Sequence, residues 1–176
     1  MSVQRALLGI LALSLAAWTP AASATMLVWL DPAAPTVAVG DTVTVDIKGT
    51  FDESVVTWGL DLTVGDPTYA AWINTAIGVD WDVTDTLDHD GLSGMRFATG
   101  VAGDVLLATL TFEGLAEGVT TLTLSSGPEE DEGILLEMGG LATNVQFAPA
   151  TLTVVPEPGS LALLGFGALA ALLRKR

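Results

Sequence analysis

The densest set of potentially reactive side chains in this 176-residue chain is a run of aspartates, Asp80, Asp82, Asp85, Asp88 and Asp90, closing on Asp88-His89-Asp90-Gly91. Carboxylates at near-alternate positions in a glycine-closed loop offer the hard oxygen ligands that calcium takes, so calcium is the one cofactor this stretch suggests. The spacing departs from an EF-hand loop, because Thr86 stands at the first ligand position and Phe97 at the twelfth. A solvated acidic loop accounts for the same residues without a metal. His89 is the single histidine, so a multi-histidine metal site is excluded.

Nucleophilic chemistry finds little support. Gly91-Leu92-Ser93-Gly94-Met95 has its second glycine misplaced for a nucleophile elbow, and Ser125 has no such context. With no cysteine in the chain, thiol catalysis, thiolate metal sites and disulfides are all absent. A pair of carboxylates for glycoside hydrolysis is a matter of geometry that spacing does not reveal. The expectation is therefore a protein that is not an enzyme. Binding is the better prospect: Trp29, Trp58, Trp72 and Trp81 with Tyr69 are many large aromatics for one domain. Trp29 and Trp58 sit in alternating segments and read as core, whereas Trp72 and Trp81 lie outside the clearest alternation and are the candidates for stacking on sugar rings.

These residues must be held by the middle of the chain, because both ends read as addresses for transport. Arg5 precedes an apolar run from Ala6 to Trp18, Pro20 ends it, and Ala22-Ser23-Ala24 supplies the small residues that a signal peptidase needs for cleavage before Thr25. That assigns residues 1–24 to a signal peptide. At the other end, Val-Pro-Glu-Pro-Gly stops strand structure, and the uncharged run Ser160 to Leu173 meets the basic cluster Arg174, Lys175 and Arg176. A helix of that length rises only about 21 Å against a hydrocarbon core of about 30 Å, so snorkelling and local thinning must help it span. The positive-inside rule then keeps the basic cluster in the cytoplasm and puts everything before Pro156 on the far side.

The string PEPGSLALLGFGALAALLRKR resembles the PEP-CTERM tail of Gram-negative bacteria: Pro156, Glu157 and Pro158, a short glycine-containing hydrophobic helix, and a closing basic cluster. The resemblance implies recognition of residues 156–176 by an exosortase and cleavage near the Pro-Glu-Pro triplet. It also implies an inner-membrane-anchored precursor that passes to the cell envelope or an extracellular polysaccharide matrix.

Residues 25–155 are enough for one domain. They hold 20 of the 21 acidic residues and only two basic ones, Lys48 and Arg96, a formal charge of −18. Such a surface repels nucleic acid and anionic lipid and suits solubility, cation binding or contact with neutral polysaccharide. The apolar period is two: Val43, Val45 and Ile47 share one face, as do Trp58, Leu60, Leu62 and Val64, then Leu106, Ala108, Leu110 and Phe112, then Leu122 and Leu124. Further strands are predicted over 26–30, 95–99, 134–137, 145–147 and 151–155. The fold class is all-β, an antiparallel jelly-roll sandwich of about nine strands.

Leu30-Asp31-Pro32, the run Thr36 to Val45, Trp58-Gly59-Leu60-Asp61-Leu62 with Asp66-Pro67, and Gly103-Asp104 through Phe112 with Gly118-Val119-Thr120 together resemble a cohesin-type domain. The resemblance implies a nine-stranded jelly roll related to carbohydrate-binding modules. Taken whole, the chain reads as a noncatalytic envelope or matrix protein, handled by signal peptidase and exosortase and touching the membrane through its tail. A dockerin-bearing partner or an exopolysaccharide is the alternative ligand for the sandwich.

Overall fold

The computed structural model describes residues 26–85, 91–97, 99–126, 133–157 and 159. The signal segment with Ala22, Ala24 and Thr25 lies outside the described residues, as do Pro158 and the tail through Arg174, Lys175 and Arg176. The expected signal helix and membrane helix fall there too. Among the described residues, no helix is long and apolar enough to cross a membrane.

Alternation of Val, Ile and Leu with Thr and Asp favours strands, since β-branched side chains fit a half-buried pleated surface. The strands are β1 Met26–Pro32, β2 Thr36–Ala38, β3 Thr42–Val64, β4 Ala70–Ile77, β5 Val83–Asp85 and β6 Gly91–Met95. They continue with β7 Val101–Gly114, β8 Gly118–Ser125, β9 Gly133–Leu136, β10 Val145–Ala148 and β11 Ala150–Val155. Among the described residues, eleven strands thus replace the expected nine or so. The segments expected at 41–48 and 58–64 are one strand, three strands (β2, β4 and β5) were not anticipated, and the strand expected at 95–99 runs instead over Gly91–Met95.

β3 organises the molecule. Its first part, Thr42 to Thr50, pairs with β1 on one edge and β7 on the other, giving a layer ordered β10-β1-β3-β7-β4. Its last part, Thr57 to Val64, pairs with β6 on one edge and with β8 and β9 on the other, giving a second layer ordered β2-β11-β8-β3-β6-β5. Between them the register slips, from Phe51 to Val55 against β7 and from Val55 to Thr57 against β9. The buried set changes parity at the same place, from Val43, Val45, Ile47, Phe51 and Val55 to Trp58, Leu60 and Leu62. A slip of one residue moves side chains to the opposite face, so these irregularities let one strand turn the corner and present apolar residues to the same core from both layers.

Two pairings are parallel, which corrects the purely antiparallel expectation. β1 pairs with β10 and β2 with β11. The chain passes from β1 to β2 through Ala33-Ala34-Pro35 and from β10 to β11 through Pro149, changing layer both times. Proline lacks the N–H a ladder needs, so it falls naturally at these crossings. The beginning and end of the domain are thereby clasped along two strands, and β1 faces β11 and β8 across the core.

The β3–β4 turn is set by hydrogen bonds and the β4–β5 turn by close approach. Asp66 Oδ1 accepts from the Thr68 hydroxyl at 2.6 Å and from the Thr68 N–H at 3.0 Å, and these bonds hold its carboxyl below the usual carboxylate range. Gly78, just after β4, donates its N–H to the Leu107 carbonyl at 2.8 Å, and a Cβ there would overlap the Leu106 carbonyl oxygen. The obstructing atoms are backbone, which does not swing aside. Gly78→Ala is expected to cost about 2–3 kcal/mol, read as a lowered midpoint in urea unfolding; a midpoint equal to the parent's would mean that the β4–β7 junction is looser than described.

Candidate functional site

β1 alternates cleanly, with Met26, Val28 and Leu30 buried and Leu27, Trp29 and Asp31 turned to the outer face. Three rows of side chains therefore cross the outside of β1, β3 and β7: Leu27, Thr50 and Asp104; Trp29, Lys48 and Leu106; Asp31, Asp46 and Thr109. The middle row is largely apolar. The half-buried Trp29 and Leu106 form, with Lys48, Asp104 and Val105, a shallow open hollow of about 250 Å³.

Apart from the exposed Leu27, the rows on either side are polar and already ordered. Thr50 donates its hydroxyl to Asp104 Oδ1 at 2.7 Å, and Thr109 donates to Asp46 Oδ1 at 2.7 Å. Lys48 Nζ lies 2.6 Å from Asp31 Oδ2 and 3.6 Å from Asp46 Oδ2. The hydrogen bond to Asp31 and then the charges of Asp31 and Asp46 hold the ammonium above the usual lysine range, against desolvation. An exposed pair of this kind adds little stability. What it does is fix the position of the lysine and cancel its charge.

Leu106 stands on this face because of a bulge. Ile47 pairs with Ala108 and Lys48 with Leu106, so Leu107 is the extra residue. Val105 is buried before it, Leu107 within it, and Ala108, Leu110 and Phe112 after it. The expectation that Leu106 shares the face of Ala108 is corrected accordingly, since a bulge inverts the parity that simple alternation assumes.

The other predicted site residues are placed as follows. Trp81, expected to be exposed, is only 6% exposed; it meets Trp58 edge-on, with ring centroids 6.0 Å apart at 75°, and donates its N–H to the Leu106 carbonyl at 3.3 Å. A ring so enclosed presents no face to a sugar. Trp72 is half-buried, and its N–H is taken by Thr75 Oγ1 at 2.9 Å and the Asn74 carbonyl at 3.1 Å. Asp82 accepts from the Phe97 N–H at 3.0 Å, and Asp80 faces Arg96, whose guanidinium also donates to the Asp80 carbonyl at 3.2 Å. These two aspartates brace the turn before β5 against the end of β6. Asp85 closes β5, whereas Asp88 and Asp90 lie outside the described residues. No group of three or more His, Cys, Asp or Glu suited to a metal occurs among the described residues, so the calcium expectation turns on residues beyond them.

At the end of the domain, Val155 is still zipped to β2: its carbonyl accepts from the Val39 N–H at 2.9 Å. Pro156 and Glu157 follow at once, with the Glu157 carboxylate beside Gly40. Residues 154–176 match the PEP-CTERM protein-sorting motif. No curated protein matches the chain.

Solved structures resemble it closely in fold. The third ScaC cohesin of Acetivibrio cellulolyticus, solved in complex with the ScaB dockerin, is 14% identical over 74% of this chain and 99% of its own, with a TM-score of 0.59. A non-cellulosomal cohesin from the archaeon Archaeoglobus fulgidus is 16% identical over 78% of this chain and 96% of its own, with a TM-score of 0.58. The seventh ScaB type I cohesin of Pseudobacteroides cellulosolvens is 17% identical over 76% and 94%, with a TM-score of 0.53. The domain has the cohesin fold. The chain thus joins a cohesin-like sandwich to a PEP-CTERM sorting motif with no intervening spacer, since Val154 and Val155 belong to both.

Within this cohesin fold, Trp29 is a further residue that sequence reasoning misplaced: assigned to the core, it is half-buried on the outer face. A signal for the opposite placement was available in its neighbours: if Met26, Val28 and Leu30 face inward, Trp29 must face outward.

Proposed function

We propose that the chain is a noncatalytic protein of the cell envelope or extracellular matrix. In this reading residues 1–24 are removed by signal peptidase before Thr25, the cohesin-like domain (25–155) works outside the inner membrane, and the tail (156–176) is read and cut by an exosortase. The observation that supports it is the overlap of strand β11 with the sorting motif: Val154 and Val155, hydrogen-bonded beside β2, belong to both. A hydrophobic tail closed by basic residues supports this reading, since the positive-inside rule keeps the basic residues in the cytoplasm and an acidic surface suits solubility on the far side.

A second reading is favoured by the cohesin similarity, one example of which was solved bound to a dockerin. On that reading the sandwich captures a dockerin-bearing protein. Fractionation of cells with and without an exosortase, with mass spectrometry of both mature termini, tests the first reading. The expected result is a product beginning at Thr25 and lacking Arg176, and an accumulated membrane-bound precursor when the exosortase is missing. Recovery of the intact chain from the cytosol would overturn it.

A further inference from the structure

We propose that the hollow around Trp29, on the outer face of β1, β3 and β7, is a binding subsite for a neutral polysaccharide chain. The proposal rests on the reading above only in taking the domain as a noncatalytic binder. Sugar rings carry an apolar C–H face and a hydroxyl periphery, and the three rows reproduce that division. Trp29 and Leu106 make an apolar floor, while hydroxyls and carboxylates line both sides of it. An aromatic face beside satisfied but not saturated polar groups is how a pocket fixes such a ligand.

The polar groups also say which sugars are suited. Asp31 uses Oδ2 for Lys48, and Asp104 uses Oδ1 for Thr50. Each carboxylate keeps a second oxygen to accept from a ligand hydroxyl. The one cation of the hollow, Lys48, is already committed to Asp31 and Asp46, so nothing is left to compensate a uronic acid or a sulfate. With a formal charge of −18 on residues 25–155, the surface repels anionic chains over distances comparable with the Debye length. The hollow is open, so a chain can run through it rather than end in it. Its small size and single aromatic suit weak contacts that gain strength when many copies meet one polymer.

Affinity electrophoresis of the full chain in a polyoxyethylene detergent tests this, through native gels containing hydroxyethyl cellulose, galactomannan, dextran or, as the anionic control, alginate. Retardation is expected in at least one neutral gel and not in alginate. Trp29→Ala is expected to weaken it about tenfold or more, Trp29→Tyr much less, and Asp104→Ala about threefold or more. Trp72→Ala is expected to leave it unchanged. Melting curves of each variant separate lost binding from lost fold, and Asp104→Ala, at an exposed position, decides if Trp29→Ala melts early. No retardation in any neutral gel, or retardation that survives both Trp29→Ala and Asp104→Ala, overturns the proposal. Because the measurement is made on purified protein, its failure leaves the export reading intact, and a failure of export leaves this one intact.

Discussion

Trp58→Ala is expected to destabilise the domain by about 3–5 kcal/mol, a large fraction of the stability of an ordinary domain of this size. Trp58 has no exposed surface and sits where β3 has just passed from one layer to the other. Trp81 meets its ring at 6.0 Å, and a Cβ at Gly94 would fall 2.6 Å from its Nε1. The neighbours are backbone and a second large ring, which collapse poorly into a cavity. Trp58→Phe is expected to cost about 1 kcal/mol or less. It gives up part of the ring, but it also removes an Nε1–H that is buried without a hydrogen-bond partner among the described residues. Equilibrium unfolding in guanidinium, followed by near-ultraviolet circular dichroism, checks both values. An alanine variant within about 1 kcal/mol of the parent would mean that the corner of β3 is not where the core is tightest.

Replacement of Pro156, Glu157 and Pro158 by alanine is expected to stop processing almost completely, so that nearly all of the chain remains as a membrane-bound precursor. β11 stays hydrogen-bonded to β2 through Val155, and Pro156, which has no N–H to give, ends the ladder. The residue before a proline is kept extended, so Val155 stays in the ladder, while the half-buried Pro156 and the exposed Glu157, beside Gly40, lie outside any strand. Alanines remove that stop together with the side chains proposed to be recognised. The domain itself should fold as before, because Pro156 lies beyond its last strand. Immunoblotting of fractionated cells for precursor and product measures the outcome. Normal yield of processed protein from the triple variant would show that the triplet is not the sorting determinant.

How far the chain could be read in advance follows from the range over which each feature is decided. Period two in Val43 to Ile47, Trp58 to Leu62, Leu122 to Leu124 and the last strand is a local pattern, and it predicted an all-β sandwich; the cohesin-type fold was implied by the resemblance of strings such as Leu30-Asp31-Pro32 and Gly103 to Phe112. The sorting motif was equally legible, since it is contiguous and its three parts stand in a specific order. β4 was not, because it is an edge strand whose register slips between Trp72 and Asn74 and leaves Ile73 half exposed. Its alternation is broken where it would have been recognised.

The aromatic assignments failed for a related reason. Trp81 lies between Asp80 and Asp82 in a polar stretch, yet the turn after Gly78 carries its ring into the core against Trp58. Trp29 lies in an apolar stretch, yet strand parity turns it outward beside Leu106, which itself changed sides at a bulge. Composition and local period by themselves determined that this protein is built of strands and is strongly acidic, and the ordered motif at its end implied a sorting signal by resemblance. Only the tertiary structure decided which aromatic is core and which is surface. The face a side chain takes depends on the partner strand and its bulges, and those partners are distant along the chain: Leu106 is 25 residues from Trp81 and Thr109 is 63 from Asp46.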